Sequence, residues 1–160
     1  MSTTAKSKTL ATWLAVLGGT LGAHRFYLHG LKDPFAWLHP LPTLIGLAGV
    51  IRMRNLGQDD TVSWLLIPIF GAMISVAMFS AIFIGLTNDE RWAQRFGAGQ
   101  APQSTGWGPV IGVVVALFLG AGALMGSIAF GGQKFFEWQQ EKAAAAAAAT
   151  ALDPSMERLS

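Results

Sequence analysis

The stretch from Val62 to Leu86 constrains the fold most, because about 25 consecutive positions carry no charge and are nearly all apolar. A helix of about 20 apolar residues is long enough to cross the hydrocarbon core of a bilayer. Pro68 predicts a kink near its start, and Ala77, Ala81 and Gly85 form a strip of small residues on one helix face. The stretch therefore predicts a transmembrane helix.

The composition of the whole chain agrees with this interpretation. Of 160 residues, 52% are hydrophobic and only 12% are charged, about half the charged fraction of a typical soluble domain. The net charge is +2, and the Lys and Arg residues are scattered, so nucleic acid is not an expected partner. The chain has no cysteine, which excludes disulfides and thiolate metal sites.

Three further apolar segments lie at Leu10–Leu28, Phe35–Met53 and Val110–Phe130. The first reaches spanning length only if it includes the residues near its polar end. In the second, Pro40 and Pro42 predict an interfacial turn followed by a short helix from about Pro42 to Arg54. We therefore expect an all-α integral membrane protein with four transmembrane helices, arranged as two hairpins, and a C-terminal helical tail.

These segments also predict the domain organisation. We expect a tail over residues 1–9, a first hairpin over 10–54, a short loop over 55–61, a second hairpin over 62–131 with a polar loop over 87–108, and an alanine-rich tail over 132–160. Gly131 and Gly132 mark the end of the last span. Alanine is the best helix former, so the tail is expected to be helical until it frays near Pro154.

The distribution of Lys and Arg predicts the topology through the positive-inside rule. If both termini are cytoplasmic, the inner segments hold seven cations, against four in the outer loops: Lys6, Lys8, Arg52, Arg54, Lys134, Lys142 and Arg158 inside, and Arg25, Lys32, Arg91 and Arg95 outside. This asymmetry favours a multi-pass membrane protein with the N-terminus and the C-terminus inside.

The segment Gly18–Gly30, which reads GGTLGAHRFYLHG, joins an apolar stretch to a cationic and aromatic cluster. The predicted lipid- or partner-contacting residues are His24, Arg25, Phe26, Tyr27 and His29. A guanidinium can bind a phosphate through two hydrogen bonds. The alternative is an arginine that extends to the interface and only sets the depth of the helix.

The HRFYL core and its glycines, Gly19 and Gly22, resemble the two-transmembrane-helix (TM-two) domain family of bacteria over Lys8–Arg54. The resemblance implies a compact membrane hairpin and no established general activity. It also allows the opposite orientation to the one that the charge count favours, with the loop that carries the motif facing the cytosol. This chain departs from the family pattern in two places, because His29 separates Leu28 from Gly30, and the second helix ends in Arg52 rather than in an acidic residue.

Small residues spaced four apart predict faces where helices pack closely in lipid. In the last span and the first, these helix-packing residues are Gly112, Ala116, Gly120, Gly122 and Gly126, together with Gly18 and Gly22. Such faces bring backbones together and carry no chemistry of their own. They favour a protein that associates with itself or with another membrane protein.

Catalytic and metal sites are not expected in this sequence. His24 and His29 are five residues apart and do not share a helix face as an i, i+4 pair would, although a turn at Gly30 could join them to Asp33 in a metal or proton-relay site. The Asp89-Glu90-Arg91 tripeptide is more typical of a solvated turn, and no GxSxG, HExxH or P-loop spacing occurs.

The sequence thus predicts a non-enzymatic membrane protein without cofactors that packs in an assembly and contacts membrane lipids, a second copy or another membrane protein. A small oligomeric channel or transport component is the main alternative, and a membrane enzyme using the histidines is a weaker one. The spans over Val62–Leu86 and Val110–Phe130 carry no charge, which argues against a transporter made from one chain.

Overall fold

The computed structural model describes residues 4–102 and 104–152, and within these ranges every regular element is a helix. The elements are α1 (Lys8–Gly18), a 3₁₀ turn (Gly19–Leu21), α2 (Ala23–His29), α3 (Pro34–Leu38), α4 (Pro40–Leu56), α5 (Thr61–Leu86), α6 (Asp89–Phe96) and α7 (Gly108–Leu152). Three segments are long and apolar enough to cross a membrane by length and composition: Pro34–Leu56, Thr61–Leu86 and Gly108–Ala151.

Helix α5 is the element against which α1, α4 and α7 all pack. Neighbouring residues show that each of the three runs antiparallel to it. For α1, Thr12 lies beside Gly85 and Gly19, just after the helix, beside Ala77; for α4, Gly49 lies beside Leu66 and Gly46 beside Phe70. For α7, Val113 lies beside Gly85 and Gly120 beside Met78. We call the end of the bundle at Leu86 end A and the end at Asp60 end B.

Glycines let α4 lie unusually close to α5. A Cβ atom added to Gly46 would lie 2.5 Å from the backbone nitrogen of Phe70, which is closer than real atoms approach. At end B, Arg52 on α4 donates hydrogen bonds from Nε and Nη2 to the carboxylate of Asp60, at 2.7 and 3.0 Å. These bonds, followed by one from the Ser63 hydroxyl, lower the pKa of Asp60 to about 2, so the link stays ionic at physiological pH.

The first apolar segment folds back on itself, which differs from the continuous span expected over Leu10–Leu28. Helix α1 ends at Gly18, and after the 3₁₀ turn α2 returns towards end A. As a result, the Ser7 amide donates to the Tyr27 hydroxyl at 2.8 Å, and Lys6 Nζ donates to the carbonyl oxygen of Leu28 at 2.6 Å. Gly22 permits the reversal because its φ of 77° is in the left-handed region.

The last helix is longer than the predicted span. Gly131 and Gly132 do not end it, and α7 runs for 45 residues, including the alanine run. A glycine costs a helix only about 1 kcal/mol, so the strong helix formers on both sides outweigh this pair. The predicted fraying near Pro154 lies outside the described residues.

The predicted packing strip on α7 divides into two parts. A Cβ atom added to Gly112 or Gly120 would lie 2.8 Å from a side-chain carbon of Thr12 or Met78, and Ala116 is fully buried. By contrast, a Cβ atom on Gly122 or Gly126 would have no atom of the described chain within 4 Å. Of the predicted pair on α1, an added Cβ on Gly18 would approach Ala23 at 2.9 Å, and one on Gly22 would approach the Ala36 carbonyl oxygen at 2.6 Å.

The N-terminal segment and the predicted polar loop lie at the same end of the bundle. Lys8 Nζ donates to the carbonyl oxygen of Thr87 at 2.9 Å and pairs with the carboxylate of Asp89. The predicted topology places these two regions on opposite sides of the membrane, whereas these contacts bring them together at end A. The charge count assumed that Leu10–Leu28 crosses the membrane, whereas the structure turns this segment back to end A.

Candidate functional site

Helix α2, which carries the motif residues, contacts α1 and α3 and runs from beside Gly19 towards end A. Asp33 caps α3 by accepting a hydrogen bond from the Phe35 amide at 3.0 Å, and Pro34 occupies the first helical position, where its missing N–H costs nothing. This cap holds α3 directly after the loop that follows α2. The residues around the motif are therefore positioned by a short loop with a defined start for the next helix.

Arg25 finds its counter-charge in that loop. Its Nε atom donates to Asp33 Oδ2 at 2.9 Å, and its guanidinium lies over the ring of Phe35, 5.2 Å from the centroid. A guanidinium has five N–H donors, so Arg25 retains donor capacity beyond its bond to Asp33.

Two aromatic rings continue this surface. Phe26 meets the ring of Trp37 edge to face at 5.2 Å between centroids, and Trp37 Nε1 donates to the carbonyl oxygen of Leu31 at 2.9 Å. Phe35 and Trp37 are 60% and 61% exposed. We call Arg25, Phe26, Phe35 and Trp37 the motif patch, a surface with one cation surrounded by exposed rings.

The other predicted contact residues point in different directions. Tyr27 accepts a hydrogen bond from the Ser7 amide, so its hydroxyl helps to hold α2 against the N-terminal segment. His29 is exposed and lies beside the ring of Phe96 on α6, at 6.1 Å between centroids. His24 is buried and meets His39, with ring centroids 5.8 Å apart. The five predicted residues therefore do not form a single site.

A second polar cluster at end A joins the N-terminal segment to α6. Lys8 is only 6% exposed, and Asp89 also accepts a hydrogen bond from the Thr105 hydroxyl at 2.8 Å. The bond from Lys8, followed by that from Thr105, lowers the pKa of Asp89. Trp92 Nε1 donates to the Lys6 carbonyl oxygen at 2.8 Å, so α6 is fixed to the N-terminal segment along its length.

Sequence reasoning missed the acidic partners of these cations, namely Asp33, Asp60 and Asp89. A usable signal was present for two of them, because Asp33 precedes Pro34 and Asp60 precedes a long apolar stretch, as helix N-caps do. No comparable signal links Lys8 to Asp89. Within residues 4–102 and 104–152, no group of three or more His, Cys, Asp or Glu side chains is placed to hold a metal ion.

The fold and these surfaces are those of an integral membrane protein. Large apolar side chains such as Phe83 and Phe118, each 74% exposed, cover the outer faces of α5 and α7, where water would be unfavourable and lipid favourable. The family model described as the TM2 domain matches residues 4–53, which contain α1 to most of α4. No curated protein and no solved structure matches the chain.

Proposed function

We propose that this chain is a non-enzymatic, multi-pass protein of the bacterial inner membrane that serves as an interaction component of a membrane assembly. Its contact site is the motif patch, which binds the phosphate of an anionic lipid or an acidic group of a partner protein. The observation that carries this proposal is the position of Arg25, which Asp33 and Phe35 hold in place among exposed aromatic rings.

The chemistry of the motif patch suits an anionic group at a membrane surface. Tryptophan favours the interfacial region, where its apolar ring meets lipid tails and its N–H meets polar groups. A preorganised guanidinium can bind a phosphate or carboxylate through two parallel hydrogen bonds. Because the bond to Asp33 already fixes the side chain, little further conformational entropy is lost on binding.

Arg25→Lys tests this proposal. Lysine keeps the charge and can still pair with Asp33, but it lacks the planar fork. We expect the variant to insert normally and to lose co-purifying anionic lipid or partner roughly tenfold, as the loss of one charge-assisted hydrogen bond implies. Native mass spectrometry of the purified protein measures both.

Lys32→Ala is the matched control, because Lys32 is an exposed cation in the same loop and is expected to change the bound lipid or partner little. An Arg25→Lys protein that retains its lipid and its partners in full would mean that Arg25 only anchors the helix. In that case the proposed contact site would be wrong.

We also propose a topology of three crossings with the α1–α2 hairpin entering the membrane from end A and returning to it. The N-terminal segment and the region of Thr87–Gly108 then share one side, while the end of α7 lies on the other. Support comes from the bonds of Lys8 to Thr87 and Asp89 at end A, and from the contact of Lys134 with the Trp64 ring at end B.

Single cysteines in this cysteine-free chain test the topology in intact cells with an impermeant thiol reagent. Ala5→Cys and Ser104→Cys are expected to label alike, and Ala149→Cys to show the opposite result. All three should label after the membrane is dissolved in detergent, which controls for accessibility. Opposite labelling at Ala5 and Ser104 would instead support four crossings.

A channel or transport component remains the second candidate, and the interrupted first segment favours it. Backbone that leaves the helix at membrane depth is tolerated where it is buried in protein or faces a water-filled cavity, and Gly18–Gly22 is such a backbone. A pore built from this chain needs several copies. The mass of the particle purified in mild detergent distinguishes a ring of copies from a monomer or a complex with another protein.

A further inference from the structure

Two helix interruptions face each other inside the bundle. One is the 3₁₀ turn at Gly19–Leu21, and the other lies at His39, between α3 and α4. The two are joined by the Thr43 hydroxyl, which lies 2.6 Å from the carbonyl oxygen of Thr20 and 2.9 Å from that of His39, so that its single proton is shared between these two acceptors. Facing interruptions of this kind are where membrane proteins build binding sites for ions and polar ligands.

The depth of these interruptions follows from their neighbour on α5. Gly19 lies against Ala77, with 2.8 Å between an added Cβ and the Ala77 Cβ atom. Ala77 is nine residues before the end of α5 at Leu86, or about 13 Å along a helix. The site is therefore well inside the segment that is long and apolar enough to span a membrane.

A histidine lies beside each interruption: His24 in the first turn of α2, next to the 3₁₀ turn, and His39 between α3 and α4. His24 is 4% exposed, and its Nδ1 atom has no hydrogen-bond partner in the described part of the chain. This Nδ1 atom lies 3.6 Å from the position that a Cβ atom on Gly19 would take, so the His24 ring points towards the 3₁₀ turn. The His39 ring meets His24 edge to face, and its Nδ1 atom lies 2.7 Å from the Phe35 carbonyl oxygen.

The bond to Phe35 sets the tautomer of His39. A carbonyl oxygen only accepts, so Nδ1 of neutral His39 carries the proton and Nε2 is left as an acceptor. An unpartnered buried nitrogen on His24 costs free energy. Ionisable side chains at this depth are rare and usually mark proton or ion pathways.

The charged groups around the pair disfavour its double protonation. Arg25 and His29 on α2 are the other titratable or charged groups that act on His24, and Asp33, at the start of α3, compensates the charge of Arg25. The packed faces of α1 and α5 contribute no titratable side chain between Thr9 and Gly18 or between Thr61 and Leu86. Two imidazolium ions in contact would repel each other strongly in such surroundings.

We propose that His24 and His39 form a buried proton-binding site, in which the two imidazoles together take up a single proton. The proton adds to a free imidazole nitrogen of one ring, and no bond other than the new N–H is formed. The site goes beyond the contact function of the motif patch and does not depend on it.

Nitrogen-15 NMR of the full chain in lipid bilayers, with labelled histidine and without a histidine tag, tests the site between pH 8 and pH 4. Neutral and protonated imidazole nitrogens have distinct shifts, and the chain contains only three histidines. We expect the signals of His24 and His39 to shift together, with a combined uptake of one proton. His24→Gln is expected to move the midpoint of His39 by about one pH unit, the size expected for a coupled pair.

His29→Gln is the matched control, because His29 is exposed at the end of the same helix, and we expect it to leave both midpoints unchanged. If His24→Gln does not fold, the reciprocal variant His39→Gln reports the same coupling through the signal of His24. Independent titration, in which each ring takes up a full proton and neither variant moves the other midpoint, would overturn the proposal.

Discussion

Asp89→Asn is expected to lower the free energy of unfolding by about 3 kcal/mol. The variant leaves Lys8, which is only 6% exposed, as a buried ammonium without its counter-charge. Breaking a buried ion pair costs roughly 3–5 kcal/mol, and we expect the lower end because the Asp89 side chain is 31% exposed. Unfolding by SDS in mixed micelles, followed by helical circular dichroism, measures the change.

Two comparisons make this result specific. Glu90→Gln removes the neighbouring, exposed carboxylate and is expected to cost less than about 0.5 kcal/mol. Lys8→Met combined with Asp89→Asn removes both charges, and we expect it to be more stable than Asp89→Asn alone. Equal stability of Asp89→Asn and Glu90→Gln would mean that the pair contributes nothing to the fold.

Low pH is expected to destabilise the wild type in the same way as the Asp89→Asn substitution, because it protonates the Asp89 carboxylate. Because Lys8 and Thr105 lower the pKa of Asp89 in the folded protein, its contribution is complete above the ordinary aspartate range near about 4. It is then lost as the pH falls through the lower pKa of the folded state. The stability gap between the wild type and Asp89→Asn should therefore narrow as the pH falls below about 4.

Gly46→Leu is expected to destabilise the bundle by about 3 kcal/mol, the upper end of the usual cost of overpacking. The added side chain meets the backbone of Phe70, whose nitrogen and Cα atoms would lie 2.5 and 2.7 Å from the new Cβ atom. Backbone cannot move aside as a side-chain tip can. The only relief is for α4 and α5 to separate, which exposes the contact along both helices.

Gly126→Leu is the matched control on α7, because an added Cβ atom at Gly126 meets no atom of the described chain within 4 Å. We expect its unfolding free energy, measured in the same detergent titration, to stay within about 1 kcal/mol of the wild type. Similar losses in the two variants would show that α4 and α5 do not approach as closely as Gly46 indicates.

The long apolar segments were predictable because spanning length and the absence of charge depend only on the local sequence. Val62–Leu86 coincides with α5 to within one residue. In the second segment, the helix was expected to begin only at about Pro42, because Pro40 and Pro42 were expected to shorten it. Both prolines lie in the first turn of α4, where a missing N–H is harmless, so the helix begins at Pro40.

The reversal of the first segment was not predictable from its composition. Gly18 and Gly22 were interpreted as packing residues of a straight helix, and the same spacing serves a turn equally well. Contacts between residues distant in sequence favour the turn over a straight helix, since Lys8 reaches Thr87 and Asp89 only when α1 starts at end A. The predicted topology depends on the same segment, because counting it as a crossing or as a hairpin inverts every later assignment.

The motif itself was located from the sequence, but its internal division was not. Arg25 and Phe26 face outwards with rings from α3, whereas His24 turns inwards to His39. Adjacent residues on a helix point about 100° apart, so the four consecutive residues from His24 to Tyr27 cannot share one surface. Which side faces inwards depends on where α5 lies, and that information is outside the motif.

The uninterrupted course of α7 has a mechanical consequence. The helix contacts α5 as far as the region of Trp64 and Lys134, and its remaining residues to Leu152 are 18 positions, or about 27 Å of helix. Because the helix does not break at Gly131 and Gly132, the projecting part is a rigid continuation of the part that packs in the bundle. A small tilt of the transmembrane portion therefore displaces the distal end of α7 further than the transmembrane portion itself. Tilting of the helices in the bilayer is thereby transmitted to the region near Leu152.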